Sequence, residues 1–268
     1  MKIVTFSAIK GGVGKTTLTY NFGEWLKHQN KKILYIDLDH QCNLTQTFDL
    51  FTSENTVENI FLSTEEVKIV NLDSNSSIIP GYMRLDEVEK KIVTKSNKDM
   101  LLYMWLEDNY NKLNLDYYDY ILIDTHPDFS TITKNAVVVS HSIFSPITPS
   151  EHSFSSRDNL LERFNEFKNE MIDFKTRESY VTANLYFIAN MVKHNTKSSI
   201  EFKKVLHKID DIIAIFPHKE LFNNSTLEKK SITDMALDKT FYKKHEKFFD
   251  DYHHTNLLIL NYINSEEE

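Results

Sequence analysis

The chain has 268 residues, 41% of them hydrophobic and 26% charged, and a formal net charge of −8. Its length and apolar content suit one α/β domain with a large core, expected to span residues 1–268, and its acidic balance argues against a surface given over entirely to nucleic acid. The lone cysteine, Cys42, excludes an internal disulfide or an internal pair of cluster ligands, and no apolar run approaches the length of a membrane span.

The first element is an apolar strand from Lys2 to Ala8, with Ile3, Val4, Phe6 and Ala8 as its core residues. Helical periodicity through Leu18, Phe22, Trp25 and Leu26 predicts a helix from Thr17 to Lys27. Between them lies Ile9-Lys10-Gly11-Gly12-Val13-Gly14-Lys15-Thr16-Thr17, and the order strand, glycine loop, helix is what a phosphate cradle requires. Gly11, Gly12 and Gly14 let the backbone turn so that its N–H groups, with those of Val13 and Thr17, face inward, where the helix N-terminus adds a positive dipole end. Lys15 is expected to reach the β and γ phosphates, and the Thr16 hydroxyl to ligate Mg²⁺.

The loop departs from the general G-x-x-x-x-G-K-[ST] pattern, because Ile9 stands where the first glycine falls and a second lysine, Lys10, follows it. That form, K-G-G-x-G-K-T, resembles the deviant Walker A box of the ParA/MinD family of ATPases, whose members sandwich ATP between two subunits. The resemblance implies that Lys10 reaches across a homodimer to the partner's phosphates and is catalytic there, together with Lys15. A solvated loop lysine is the competing reading of Lys10.

The next strand runs from Lys32 and ends in Asp37-Leu38-Asp39-His40-Gln41-Cys42-Asn43-Leu44-Thr45. Residues two apart share a face, so Asp37 and Asp39 project together from the carboxyl edge of a parallel strand, where open α/β sheets bind ligands. The segment is similar to the family's D-x-D-P-Q-x-N-x-T switch, with His40 in the place of proline. By that resemblance Asp39 orients or deprotonates the attacking water and Asp37 supports the metal shell.

Apolar spacing predicts helices around Thr56 to Leu62, Met83 to Val93 and Leu101 to Leu113, with turns at Leu72 to Ser77 and at Pro80-Gly81, and assigns Met100, Met104 and Trp105 to the core. Tyr118 to Asp124 is a continuous apolar run closed by an acid, which reads as a Walker B strand with Asp124 holding the Mg²⁺ hydration shell. Asp124-Thr125-His126-Pro127 resembles the family's D-x-x-P second switch, and His126 reads as a loop histidine. Val137 to Ile147, then Pro149-Ser150-Glu151, fits the family's following strand and loop. Arg157 to Phe174 reads as a covering helix with Leu160, Leu161, Phe164 and Phe167 inward.

Asn184 to Val192 and Ala214 to Pro217 are further apolar strands. The resemblance puts Asn190 and Pro217 beside the adenine. Ser198 to Ile209 is predicted to be a helix with Ile200, Phe202, Val205, Leu206 and Ile209 inward, leaving Lys197, Lys203, Lys204 and Lys208 on its outer face as candidate DNA contacts. Lys239, Lys243 and Lys247 form a second stripe at helical spacing, and a solvated lysine face is the alternative for both.

Together these features lead to a doubly wound, mostly parallel sheet with helices on both faces, binding ATP and Mg²⁺. The resemblance implies a cytoplasmic partition ATPase, nucleoid-associated if it binds DNA, that dimerises on ATP and binds DNA non-specifically. A ParB-like centromere-binding protein is the implied partner that stimulates hydrolysis. The start of the chain directly on a strand leads to the expectation of no N-terminal helix-turn-helix, and the acidic C-terminal tip to the expectation of no membrane partner. The alternative is a MinD-like or protein-cargo positioning ATPase that does not act on DNA.

Overall fold

A computed structural model describes residues 1–265, apart from 64, 151–152, 194–198, 201, 203–208 and 210 and the side chain of residue 153. Among the described residues eight strands form one sheet: β1 (Lys2–Phe6), β2 (Ile33–Leu38), β3 (Val70–Asn71), β4 (Ser76–Ile79), β5 (Tyr120–Thr125), β6 (Ser142–Ile147), β7 (Asn184–Val192) and β8 (Ile212–Pro217). Their spatial order is β3-β4-β2-β5-β1-β6-β7-β8, parallel throughout except for the antiparallel edge pair β3 and β4. The central strands β1, β2 and β5 are continuous apolar runs because both sheet faces are covered.

Helix α1 (Lys15–His28) lies on one face beside α8 (Glu220–Leu227), α9 (Ile232–Met235) and α11 (Glu246–Asn264). Alternation along the strands divides the core accordingly. Phe6, Tyr35, Leu122 and Phe144 join Phe22, Trp25, Phe216 and Ile259 on that side. On the other, Ile3, Leu34, Ile36 and Ile123 meet Phe61, Val88, Leu102 and Ile132, contributed by α3 (Glu58–Leu62), α4 (Leu85–Ile92), α5 (Leu101–Asn109) and α6 (Thr131–Val139). Helix α7 (Ser153–Glu170) packs Leu160, Phe164 and Phe167 inward over β6 and β7, as the spacing predicts, but it ends at Glu170 rather than at the exposed Phe174. Among the described residues no helix is long and apolar enough to cross a membrane.

Four local expectations are corrected. Val137 to Val139 ends α6 rather than opening a strand, because a β-branched run buried on all sides fits either period; the strand begins only at Ser142. The Leu72 to Ser77 stretch contains the start of β4, whose Ser76 and Ser77 are buried between neighbouring strands and read as loop by composition alone. Met104 is 44% exposed, so it leaves the core to which its spacing assigned it. The second lysine stripe is broken: Lys239 and Lys243 lie on α10 (Lys239–Lys244), and the chain leaves helical geometry at His245 (φ −126°, ψ 22°) before α11 carries Lys247.

Candidate nucleotide site

The loop between β1 and α1 turns through left-handed backbone at Gly12 (φ 72°) and Gly14 (φ 93°). Gly14 is also a close-approach position, since a Cβ there would lie 2.5 Å from Asn190 Nδ2. Any side chain would therefore strain the turn and displace the Asn190 amide from the loop. Beyond Gly14 the first turn of α1 carries no acidic residue, so its N-terminal dipole and free N–H groups face the cleft uncompensated.

That cleft has a volume of about 660 Å³ and is lined by Gly11, Gly12, Gly14, Lys15, Thr16, Thr17 and Asp39, with Gln41, Asn43 and Gln46 from the segment after β2. Lys15 is buried there at 6% exposure. Burial pulls its pKa below the ordinary lysine value, while Asp124, Asp39 and Asp128 oppose the shift.

Sheet register brings the carboxylates together: Asp37 of β2 stands directly beside Asp124 of β5, which in turn pairs with Phe6 of β1 just before the loop. Thr16 Oγ1 donates to Asp124 Oδ2 at 2.6 Å, and Asp124 Oδ1 is buried without a hydrogen-bond partner among the described residues. A buried orphan carboxylate oxygen beside a threonine hydroxyl and a glycine loop is a donor set suited to a hard, oxygen-seeking cation such as Mg²⁺. Burial pushes the Asp124 pKa up to about 8, and the neighbouring Asp37 charge adds to the shift against the smaller effects of Thr16 and Lys15.

The raised pKa bears on stability. The native carboxyl binds its proton more tightly than the unfolded one, so in the metal-free chain its contribution is fully present below about pH 3.8 and is lost as pH rises through about 8. Asp124→Asn keeps an oxygen for Thr16 and removes the charge. It is therefore expected to raise the melting temperature of the metal-free chain at pH 8.5 by at least about 3 °C, given roughly 2–4 °C per kcal/mol for domains of this size, and to gain nothing at pH 4. Thermal melts in chelator at the two pH values check this, and an Asp124→Asn chain that is destabilised at pH 8.5 would contradict it.

Asp37 is turned differently from Asp39. Its Oδ2 accepts from Thr45 N (2.9 Å) and Thr45 Oγ1 (2.6 Å), and its Oδ1 from Asp39 N (3.1 Å). Gly81 N donates on to Thr45 Oγ1 at 2.8 Å. In this arrangement Asp37 anchors the segment that carries Asp39. Burial raises its pKa to about 6, opposed by the Thr45 and Asp39 hydrogen bonds. Asp39, 4% exposed, borders the cleft and accepts from Gln41 N at 2.9 Å.

Lys10 does not line the cleft; its Nζ donates to Ser150 Oγ at 3.0 Å, outside the cradle formed by its own loop. Asn190 is buried, and its Nδ2 donates to Val13 O at 2.8 Å, which ties β7 to the glycine loop. Met191 follows with φ 56° at a register irregularity against β8. Asn190, Met191, Pro217 and His218 form a recess that shares Thr17 with the main cleft, so the two residues assigned to adenine lie together beside the loop.

The candidate DNA contacts Lys197, Lys203, Lys204 and Lys208 lie outside the described residues. Within that stretch Phe202 is buried against Phe154, at 5.2 Å between rings, but Ile200 is 46% exposed and does not face inward as its spacing suggests. Between the two switch segments lies a cluster that no local motif in the sequence signals. The rings of His40 and His126 lie with centroids 4.2 Å apart, tilted by 32°, and with Asp39 they bring three ligand atoms within 4.8 Å of one another. His126 therefore has neighbours that a loop histidine need not have, from a segment far away in sequence.

A glycine loop at the carboxyl edge of a parallel sheet, followed by a helix and flanked by two acid-terminated strands, defines a P-loop ATPase. The chain matches the AAA-domain family model over residues 1–176. It is 30% identical to the sporulation initiation inhibitor protein Soj of Bacillus subtilis over 172 residues, 60% of this chain and 63% of Soj. It is 26% identical to an uncharacterized protein of Methanocaldococcus jannaschii over 248 residues, 87% of this chain and 90% of that one. Its backbone is similar (TM-score 0.72, 26% identity) to a Borrelia burgdorferi protein described as a plasmid partition protein and bound to AMPPNP, covering 94% of this chain and 98% of that one. The chain belongs to this AAA-domain family, in its ParA/MinD-type P-loop form.

Proposed function

We propose that the chain is a MgATP-dependent dimerising switch for partition of plasmid or chromosomal DNA, hydrolysing ATP slowly between two copies of itself. The observation that carries this reading is the division of labour between the lysines of one loop. Lys15 is buried among Asp124, Asp39 and Asp128 beneath the cleft, whereas Lys10 is turned away from its own cradle toward Ser150. A lysine so placed is available to a second subunit's phosphates.

In this mechanism Lys15 and the loop amides hold the β and γ phosphates, and Thr16 and Asp124 hold the metal. Asp37 fixes the switch backbone through Thr45. Asp39 orients the attacking water and takes up its proton. Mg²⁺ bound at Thr16 and Asp124 supplies charge neutralisation on the phosphate oxygens. Asn190 and Pro217 border the adenine. The modest likeness to the Borrelia protein supports partition over other uses of the fold, and the proposal includes a ParB-like adaptor that accelerates hydrolysis.

The DNA half of the proposal rests on lysine clustering in a chain whose net charge is −8. Dimerisation places two copies of the Lys197, Lys203, Lys204 and Lys208 cluster in one particle, and each phosphate neutralised releases counterions. Binding to duplex DNA is expected to require MgATP, to ignore sequence and to fall steeply between about 50 and 200 mM salt. Filter or mobility-shift binding at several salt concentrations tests this, with the lysines at 197, 204 and 208 replaced by glutamate as the control expected to bind at least about tenfold more weakly. No binding at the lowest salt by a chain that does dimerise would turn the reading toward a protein cargo.

A further inference from the structure

Beside the nucleotide cleft lies a second hollow, of about 110 Å³, between the two switch segments. His40, Asp86, Glu89, His126 and Asp128 are its polar walls, together with Ser130, and among the described residues neither lysine nor arginine lines it. A hollow of neutral imidazoles and carboxylates, with no fixed positive charge among its described walls, favours a cation. Asp39 stands between the two spaces: its side chain borders the cleft, while His40, the next residue, borders the hollow.

The geometry points to a transition-metal site of the zinc class formed by Asp39, His40 and His126, which ties the two switch segments together and, resting on the role proposed above for Asp39, draws that carboxylate away from the attacking water. One ligand atom from each of the three residues lies within 4.8 Å of the others. Tetrahedral zinc with bonds of about 2.0–2.2 Å sets its donors roughly 3.4 Å apart, so rotation of the side chains by an ångström or so completes the set, and water takes the fourth position. His126 is already oriented. Its Nδ1 meets Asp128 Oδ2 at 3.1 Å, leaving Nε2 to ligate in the carboxylate–histidine–metal arrangement. Asp128 is held in turn by Ser130 N at 3.1 Å and Thr133 Oγ1 at 2.8 Å. Two imidazoles select zinc, cobalt, nickel or copper over Mg²⁺, which prefers the all-oxygen set at Thr16 and Asp124.

His40 comes from the end of β2 and His126 from the end of β5, adjacent strands whose ends carry the two switches. A metal shared between them stiffens both. With Asp39 as a ligand, the metal's charge lowers the basicity of its carboxylate and its orientation is set by the metal rather than by the water, so metal binding lowers turnover without occupying the phosphate cradle.

The test titrates ZnCl₂ into the tag-free, nucleotide-free chain by calorimetry and measures bound zinc after dialysis. One equivalent is expected to bind, and His126→Gln and His40→Gln are each expected to weaken it at least tenfold with unchanged circular dichroism. Asp128→Asn is expected to weaken it about 10- to 100-fold by freeing the His126 ring. Failure of the wild-type chain to bind, or equal binding by the two histidine variants and the wild type, overturns the site. In the second arm, zinc at saturation is expected to cut the wild-type MgATPase rate several-fold, and the ratio of rates with and without zinc to move toward one in His126→Gln. Zinc binding with no change in that ratio overturns the link to Asp39. A chain with no MgATPase activity at all would count against the proposed function, while the zinc titration alone still decides whether the site exists.

Discussion

Asp39→Ala is expected to bind MgATP as the wild-type chain does, to accumulate as a nucleotide-bound dimer, and to turn over at least about 100-fold more slowly, in line with the 10²–10⁴ contributed by a positioned general base. The backbone of this segment is held independently of the Asp39 side chain. Asp37 accepts from the amide of Asp39 and from both Thr45 donors, so the segment keeps its path when the Asp39 side chain is removed. What is lost is the carboxylate at the cleft wall, and only chemistry depends on it. Steady-state phosphate release together with nucleotide binding at equilibrium checks this. A variant that hydrolyses at the wild-type rate would remove Asp39 from the mechanism, and one that no longer binds ATP would make it a structural residue.

Lys15→Ala is expected to fail earlier, at binding. Lys15 is buried at the glycine loop, and its charge faces Asp124, Asp39 and Asp128, while the cleft's other lysine, Lys229, is paired with Asp49, so Lys15 is the cation placed to admit phosphates among carboxylates. Without it, the charge that attracts the β and γ oxygens is gone while the acidic surroundings remain. The expected loss of ATP affinity is at least 100-fold, about 2.7 kcal/mol, and the chain should stay monomeric at nucleotide concentrations that dimerise the wild type. Fluorescent-nucleotide titration measures it. Lys10→Ala provides the contrast, because Lys10 contacts Ser150 rather than the cleft and its removal should leave nucleotide affinity within a few-fold of normal.

The parts of the site that were legible in the sequence are those whose residues are close together in the chain. Gly11 to Thr17 states its own geometry, since the glycines, the lysine and the hydroxyl are fixed relative to one another by one turn and the start of one helix. Asp37 and Asp39 could be placed on one edge from strand period alone, but period does not say where a carboxylate points. Asp37 turns toward Thr45, a contact set by the fold of the following loop and by Gly81 from the end of β4. The strand β4 itself was hidden because Ser76 and Ser77 carry no apolar signal, and only pairing with β2 and β3 gives them strand geometry.

Long-range encounters were the least visible. His40 and His126 read separately as a substituted proline and a loop residue, and they become neighbours only because β2 and β5 are adjacent in the sheet. The contact of Asn190 with Val13 follows likewise from β7 reaching the loop. Family resemblance alone supplied the adenine neighbourhood of Asn190 and Pro217, which line one recess with Thr17.

Sedimentation velocity of the wild-type chain without nucleotide, with MgADP and with MgATP tests the central claim most directly. The account predicts a 31.5 kDa monomer in the first two states and a particle of twice that mass with MgATP, with the ATP-driven shift lost in Lys10→Ala despite retained nucleotide binding. A wild-type chain that binds MgATP and hydrolyses it while remaining a monomer would contradict the account, because a lysine turned away from its own cradle would then have no phosphates to act on.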